Sequence, residues 1–129
     1  MREILFRGKR VDNGEWVEGY YVNSIGPDCE PNETRHYIVT YPGDWHEVYT
    51  STVGQYTGIT DRKGNRIFEG DVIRFSLKTE TTDYVVEWCD GGFVFRDVKI
   101  RAMGGDLVQS DADNAEIVRN IHDNPDLLK

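Results

Sequence analysis

Cysteine is nearly absent from this chain. Only Cys29 and Cys89 occur in 129 residues, far apart and without the short spacings of a zinc knuckle or a disulfide framework. Both are expected to be free, reduced thiols. Neither has a basic neighbour to lower its pKa, so no nucleophilic cysteine is expected. The three histidines, His36, His46 and His122, are not spaced as metal ligands, either with one another or with the cysteines. No metal and no cofactor is expected. No apolar run approaches the roughly 18 residues that cross a bilayer, and residues 1–10 lack the apolar stretch of a signal peptide. No membrane association and a cytoplasmic location are the corresponding expectations. Cations are outnumbered, 15 Lys and Arg against 23 Asp and Glu, and the formal charge of −8 disfavours a nucleic-acid partner held by phosphate neutralisation. Phosphate-binding and dinucleotide glycine motifs are missing, as is a nucleophile elbow. No catalytic residue emerges, and the chain is expected not to be an enzyme.

What the chain does have is glycine, 13 residues, and aromatic and β-branched runs between turn signals. The four prolines are few, and Pro27, Pro31 and Pro42 fall in loops rather than strands. Residues 4–11 lead through Asp12-Asn13-Gly14 into Trp16, Val17, Tyr20, Tyr21 and Val22, and Asn-Gly between β-rich runs predicts a hairpin. Residues 23–34 read as a loop, residues 35–41 as a short strand closed by Pro42-Gly43-Asp44, and residues 45–50 as another strand. Between residues 52 and 70, Gly54, Gly58, Gly64 and Gly70 predict tightly folded connection. Residues 71–77, 83–88 and 93–99 then form a three-stranded meander, with Tyr84, Val86 and Trp88 sharing one face by the two-residue period. Gly104-Gly105 breaks the pattern. Residues 114–121 fit either a strand or a helical face through Ile117, Val118 and Ile121, and their β-branched content favours strand. Asn124-Pro125 suits a terminal helical turn. Fold class is therefore mainly β, with little helix.

Asp61, Glu69, Asp71, Glu87 and Asp90 are acids that a barrel end would bring together for acid–base work, although a chain with 23 acids clusters them by chance. Trp16, Tyr20, Tyr21, Tyr37, Trp45, Tyr56, Trp88, Phe93 and Phe95 are numerous enough for a stacking or peptide-binding surface, but in a β-rich domain such residues mostly make core. The first ten residues are basic, with Arg2, Arg7, Lys9 and Arg10, and the last 26 are acidic.

The block Thr52-Val53-Gly54-Gln55-Tyr56-Thr57-Gly58-Ile59-Thr60-Asp61, with Gly64, Ile67-Phe68 and Glu69-Gly70-Asp71, resembles the signature of YopX-family proteins. Phe6-Arg7-Gly8-Lys9, the run Gly14-Glu15-Trp16-Val17-Glu18-Gly19-Tyr20, and Ile117 to Leu128 are similar to the ends of that pattern, so the likeness spans nearly the whole chain. Arg119 departs from it, standing where the pattern usually has glycine. The resemblance implies a bacteriophage or prophage protein with no established molecular activity. It also implies an SH3-like β-roll or barrel, about residues 51–129, preceded by a β-hairpin region of about residues 1–50 within one domain. Gln55, Tyr56, Thr57, Gly58, Asp61, Glu69, Gly70 and Asp71 are the candidate binding residues of the motif, with architecture as the competing cause. The expected function is a non-enzymatic interaction module that forms a homo-oligomer through exposed strand edges and meets an unknown host or phage protein. The alternative is a nucleic-acid binder, or an acidic DNA mimic acting on a host factor.

Overall fold

The computed structural model describes residues 3–24, 34–75 and 82–123. The terminal turn expected at Asn124-Pro125, the centre of the 23–34 loop and Cys29 lie outside those residues. The strands are antiparallel throughout, and the chain divides into two compact units, residues 1–55 and 56–129.

In the first unit, β1 (Phe6–Lys9) pairs with β2 (Trp16–Ser24), from Phe6↔Gly19 to Lys9↔Trp16. The Asn-Gly turn closes as its chemistry requires. Gly14 adopts φ 72°, its N–H donates to the Arg10 carbonyl at 2.8 Å, and Asn13 Oδ1 accepts the Glu15 N–H at 2.9 Å. Strand β3 (Arg35–Thr40) pairs with β2, and β4 (Asp44–Glu47) pairs with β3 across a turn containing the cis Tyr41–Pro42 peptide. A 3-10 turn at Thr50–Thr52 then leads to β5 (Gly54–Thr60), whose first residues pair back to β1. Ile38 and Val48 are buried here, and the Arg7 guanidinium lies 4.5 Å from the Trp16 ring centroid.

The second unit opens with the rest of β5, which pairs with β6 (Arg66–Phe68). Strands β7 (Asp71–Phe75), β8 (Asp83–Cys89), β9 (Gly92–Asp97), β10 (Met103–Asp106) and β11 (Ala115–Asn120) make a sheet in the order β10-β9-β8-β7-β11. A four-residue helix, α1 (Gln109–Ala112), joins β10 to β11 and is the one α-helix among the described residues. Alternation along the strands sends Ile73, Tyr84 and Val86 to one face, where they meet Ile67, Leu107, Ala112 and Ala115. Phe75, Tyr84 and Phe95 pack edge to face there, with centroids 5.1–5.6 Å apart.

The mainly β character is as expected, the meander is β7–β8–β9, and residues 114–121 contain a strand. Two expectations are corrected. Residues 52–70 are not connection alone, because β5 and β6 form there; their glycines stand within and between strands that the backbone ladder holds. Gly104 and Gly105 do not break the sheet either, since both belong to β10. A Cβ at Gly104 would stand 2.4 Å from Cε2 of Phe95 and 3.0 Å from Tyr84. Glycine is needed because the aromatic rings already fill that space. Trp88 closes its strand beyond the core and is exposed, with its ring edge-on to Phe93 at 5.0 Å.

Candidate functional site

The central motif is spent largely on the fold. Asp61 is 3% exposed, and its Oδ1 accepts the N–H groups of Lys63 and Asn65, both at 2.9 Å, while Oδ2 accepts the Ile117 N–H at 3.1 Å. Burial opposes its ionisation, but these backbone donors and the Asn65 side chain outweigh it and hold the carboxyl below its ordinary value. Asp71, 1% exposed, accepts the Phe68 N–H at 2.8 Å and the Asn120 Nδ2–H at 3.1 Å. Both carboxylates therefore clamp β11, one near its middle and the other at its end. Between β6 and β7, Gly70 turns at φ 87°, donates to the Val86 carbonyl at 2.8 Å and accepts the Ile121 N–H at 3.0 Å. The Thr57 hydroxyl donates to the Ile67 carbonyl at 2.8 Å, and Tyr56 packs on Phe68. Gly58, at φ 85°, stands in the irregular stretch of β5 between Tyr56 and Thr60. Gln55 pairs with Phe6 in the first unit, and Glu69 is half-buried at the Gly70 turn. The motif residues thus do not converge on one concave site.

Convergence occurs on the other face of the second unit's sheet, at residues of which the sequence reading named only Glu87, among the acids, and Arg119, as a departure from the family pattern. Arg74 on β7 stands opposite Asp83 on β8 and donates through Nε to Oδ1 at 2.8 Å and through Nη2 to Oδ2 at 3.2 Å. Arg119 on β11 reaches the same carboxylate, Nη1 to Oδ2, at 2.8 Å. Burial of Asp83 works against its charge, but the two guanidiniums prevail and lower its pKa. A second triad repeats the device, for Glu87 takes Arg96 at 3.0 Å and Arg101 at 2.7 Å. Glu87 too is held below the ordinary glutamate range, its burial outweighed by the two arginines. Arg101 adopts φ 62°, fixed by its own ion pair and by the Arg96 Nη1–H donated to its carbonyl at 2.9 Å. Beside the first triad lies a cavity of about 370 Å³, lined by Arg74, Thr82, Asp83, Arg119 and the turn at residues 97–100. No cluster of three or more His, Cys, Asp or Glu among the described residues is placed to hold a metal ion.

In the first unit, the register Tyr20↔Val39↔Trp45 puts two exposed aromatic side chains around a valine on one sheet face, Tyr20 being 67% and Trp45 56% exposed. Tyr37 packs edge-on to Trp45 at 5.4 Å in the same row of strands.

The sequence pattern of the family described as YopX protein matches residues 5–129. The chain belongs to the YopX family. In solved structures, this YopX-family chain is similar to the crystal structure of protein EF1440 from Enterococcus faecalis. That likeness has 22% identity and a TM-score of 0.61, and covers all of both chains. At that identity it concerns the fold alone. No curated protein matches the sequence. No helix among the described residues is long and apolar enough to cross a membrane. Within the YopX chain, the signal that would have exposed the triads was alternation, since Arg74 lies between Ile73 and Phe75, and Asp83 and Glu87 flank Tyr84 and Val86. Once the apolar partners are assigned to the core, the charged ones share the opposite face.

Proposed function

We propose that this YopX-family protein is a non-enzymatic interaction module that self-associates through the β2–β3–β4 face of its first unit. The observation that carries the reading is the row in which the exposed Tyr20 and Trp45 flank the half-buried Val39. Large, rigid side chains in contact across strands give area at low entropic cost, which suits them to the centre of an interface. Strand β4 ends that run of strands, and its outer edge, closed at Glu47 where the carbonyl accepts the Val11 N–H at 2.9 Å, is left for pairing ahead of that residue, beside the aromatic row. A second copy of the same chain fits both features at once: antiparallel pairing of two β4 edges about a two-fold axis joins two aromatic rows. Action inside a bacterial host cell, in a phage or prophage programme, is supported by the family resemblance and by the scarcity of cysteine.

Light scattering after size exclusion, at low micromolar protein and about 0.15 M salt, tests this. The wild type is expected at the mass of two chains and Trp45→Glu at the mass of one. A wild-type mass of one chain would overturn the reading.

A further inference from the structure

The cavity beside Asp83 has the composition of an anion site in a chain whose overall charge is −8. Three cations, Arg74, Lys99 and Arg119, meet two carboxylates, Asp83 and Asp97. Both carboxylates already have work to do. Asp83 is shared by the two arginines, and Asp97 Oδ1 accepts the Lys99 and Ile100 N–H groups at 2.8 and 3.1 Å. The donors exceed these acceptors. Arg119 binds Asp83 through Nη1 alone while its Nε is buried without an acceptor among the described residues, and the exposed Lys99 has no ion pair there. The part of the Arg119 guanidinium that stays accessible beside Asp83, and the exposed Lys99 ammonium, are the donors left for an oxyanion. The frame is also rigid: the 97–101 turn is tied by Asp97 and by the Arg101 N–H donated to the Asp97 carbonyl at 3.0 Å. Donors held in place lose little freedom on binding.

We propose that this cavity binds a small phosphorylated molecule, with Lys99, Arg119 and Arg74 taking the phosphoryl oxygens. Guanidinium forks match the spacing of phosphate oxygens. A volume of about 370 Å³ is more than one ion needs, and the Val98 and Ile100 side chains line the remainder. The organic part of the ligand lies there, in a site at the small end of ordinary ligand pockets. A polynucleotide is disfavoured, because its backbone needs a track of uncompensated cations, whereas most arginines on this face already hold carboxylates.

The test is a titration of ¹⁵N-labelled full-length protein with inorganic phosphate, ribose 5-phosphate and adenosine monophosphate. Ionic strength is held constant with sodium chloride. Saturable shifts are expected at the Lys99 and Ile100 amides, with one of the two organic phosphates binding more tightly than inorganic phosphate. Lys99→Ala removes an exposed side chain and leaves the fold intact; affinity is expected to fall about tenfold, the equivalent of one charge-assisted hydrogen bond. Arg119→Gln leaves Asp83 bonded twice by Arg74 and is expected to weaken binding similarly, whereas Lys63→Ala, outside the cavity, leaves affinity unchanged. Shifts that are non-saturable, or retained in both cavity variants, would overturn the proposal. So would binding that tightens with the length of a single-stranded oligonucleotide while the monophosphates give none. These readouts are independent of the oligomeric mass.

Discussion

Replacing Gly19 by alanine isolates what close strand approach contributes to the first unit. Gly19 is buried on β2, opposite Phe6, and a Cβ there would stand 2.3 Å from the Val39 backbone oxygen and 3.1 Å from Cγ2 of Ile38. The obstacle is a backbone carbonyl in the β2–β3 ladder, so the strands must move apart rather than a side chain turn aside. Alanine restricts the unfolded chain and by itself favours folding by about 0.4–1 kcal/mol. Overpacking against a fixed frame costs roughly 1–3 kcal/mol, and a weakened ladder hydrogen bond about 1 kcal/mol more. The net expectation is destabilisation by about 1–3 kcal/mol, a fall in Tm of roughly 3–12 °C for a chain of this size. Gly92→Ala is the control, since nothing lies within 4 Å of its added Cβ and it carries no positive φ. It should be neutral or slightly stabilising. Thermal unfolding followed by circular dichroism compares the two. A Gly19→Ala midpoint at or above wild type, or equal to that of Gly92→Ala, would refute the steric argument.

Asp61→Asn keeps the shape but turns an NH₂ group toward the Ile117 N–H, or toward those of Lys63 and Asn65. It is expected to cost about 1–3 kcal/mol, and hydrogen exchange at Ile117 should quicken. The acid limb of stability follows from the partly buried carboxyls whose pKa is lowered, Asp61, Asp83 and Glu87. Each binds a proton more readily when unfolded, so its contribution is complete above the unfolded value, about pH 4, and is lost as pH falls through the folded one. Urea midpoints should be flat from pH 7 to about 5 and fall below about 4.5, with a shallower fall in Asp61→Asn. A midpoint that rises on acidification would contradict the sign.

The parts of the fold legible in the sequence are those whose cause is local. Asn13-Gly14 closes the first hairpin because left-handed backbone is cheap there, and Ile117 and Val118 carry enough β-branching to favour β11 over a helix. Strand β5 was not legible. Gly54 and Gly58 interleave with Gln55, Thr57 and Thr60, and what holds the segment extended is pairing to β1 and β6, which no local pattern displays. Strand β10 was hidden for the converse reason, since its glycines answer to the rings of Phe95 and Tyr84 from other strands. Asp61 and Asp71 were legible as motif residues with architecture as the competing cause. Their hold on β11 was not, because Ile117 and Asn120 lie far along the chain.

The same non-locality explains why the sign of the whole chain is a poor guide to its surfaces. A charge of −8 argues against anionic partners only if charge is spread evenly, and a sheet does not spread it. Once Ile73, Phe75, Tyr84 and Val86 take the core face, Arg74, Asp83 and Glu87 must take the other. The pairing of β7 with both β8 and β11 then brings Arg119 to Asp83. Without the arginine at 119, the cavity would hold two cations and two carboxylates. The arginine of this chain supplies the excess. The surplus is a single charge, so the anion site proposed for this cavity needs all three of Arg74, Lys99 and Arg119.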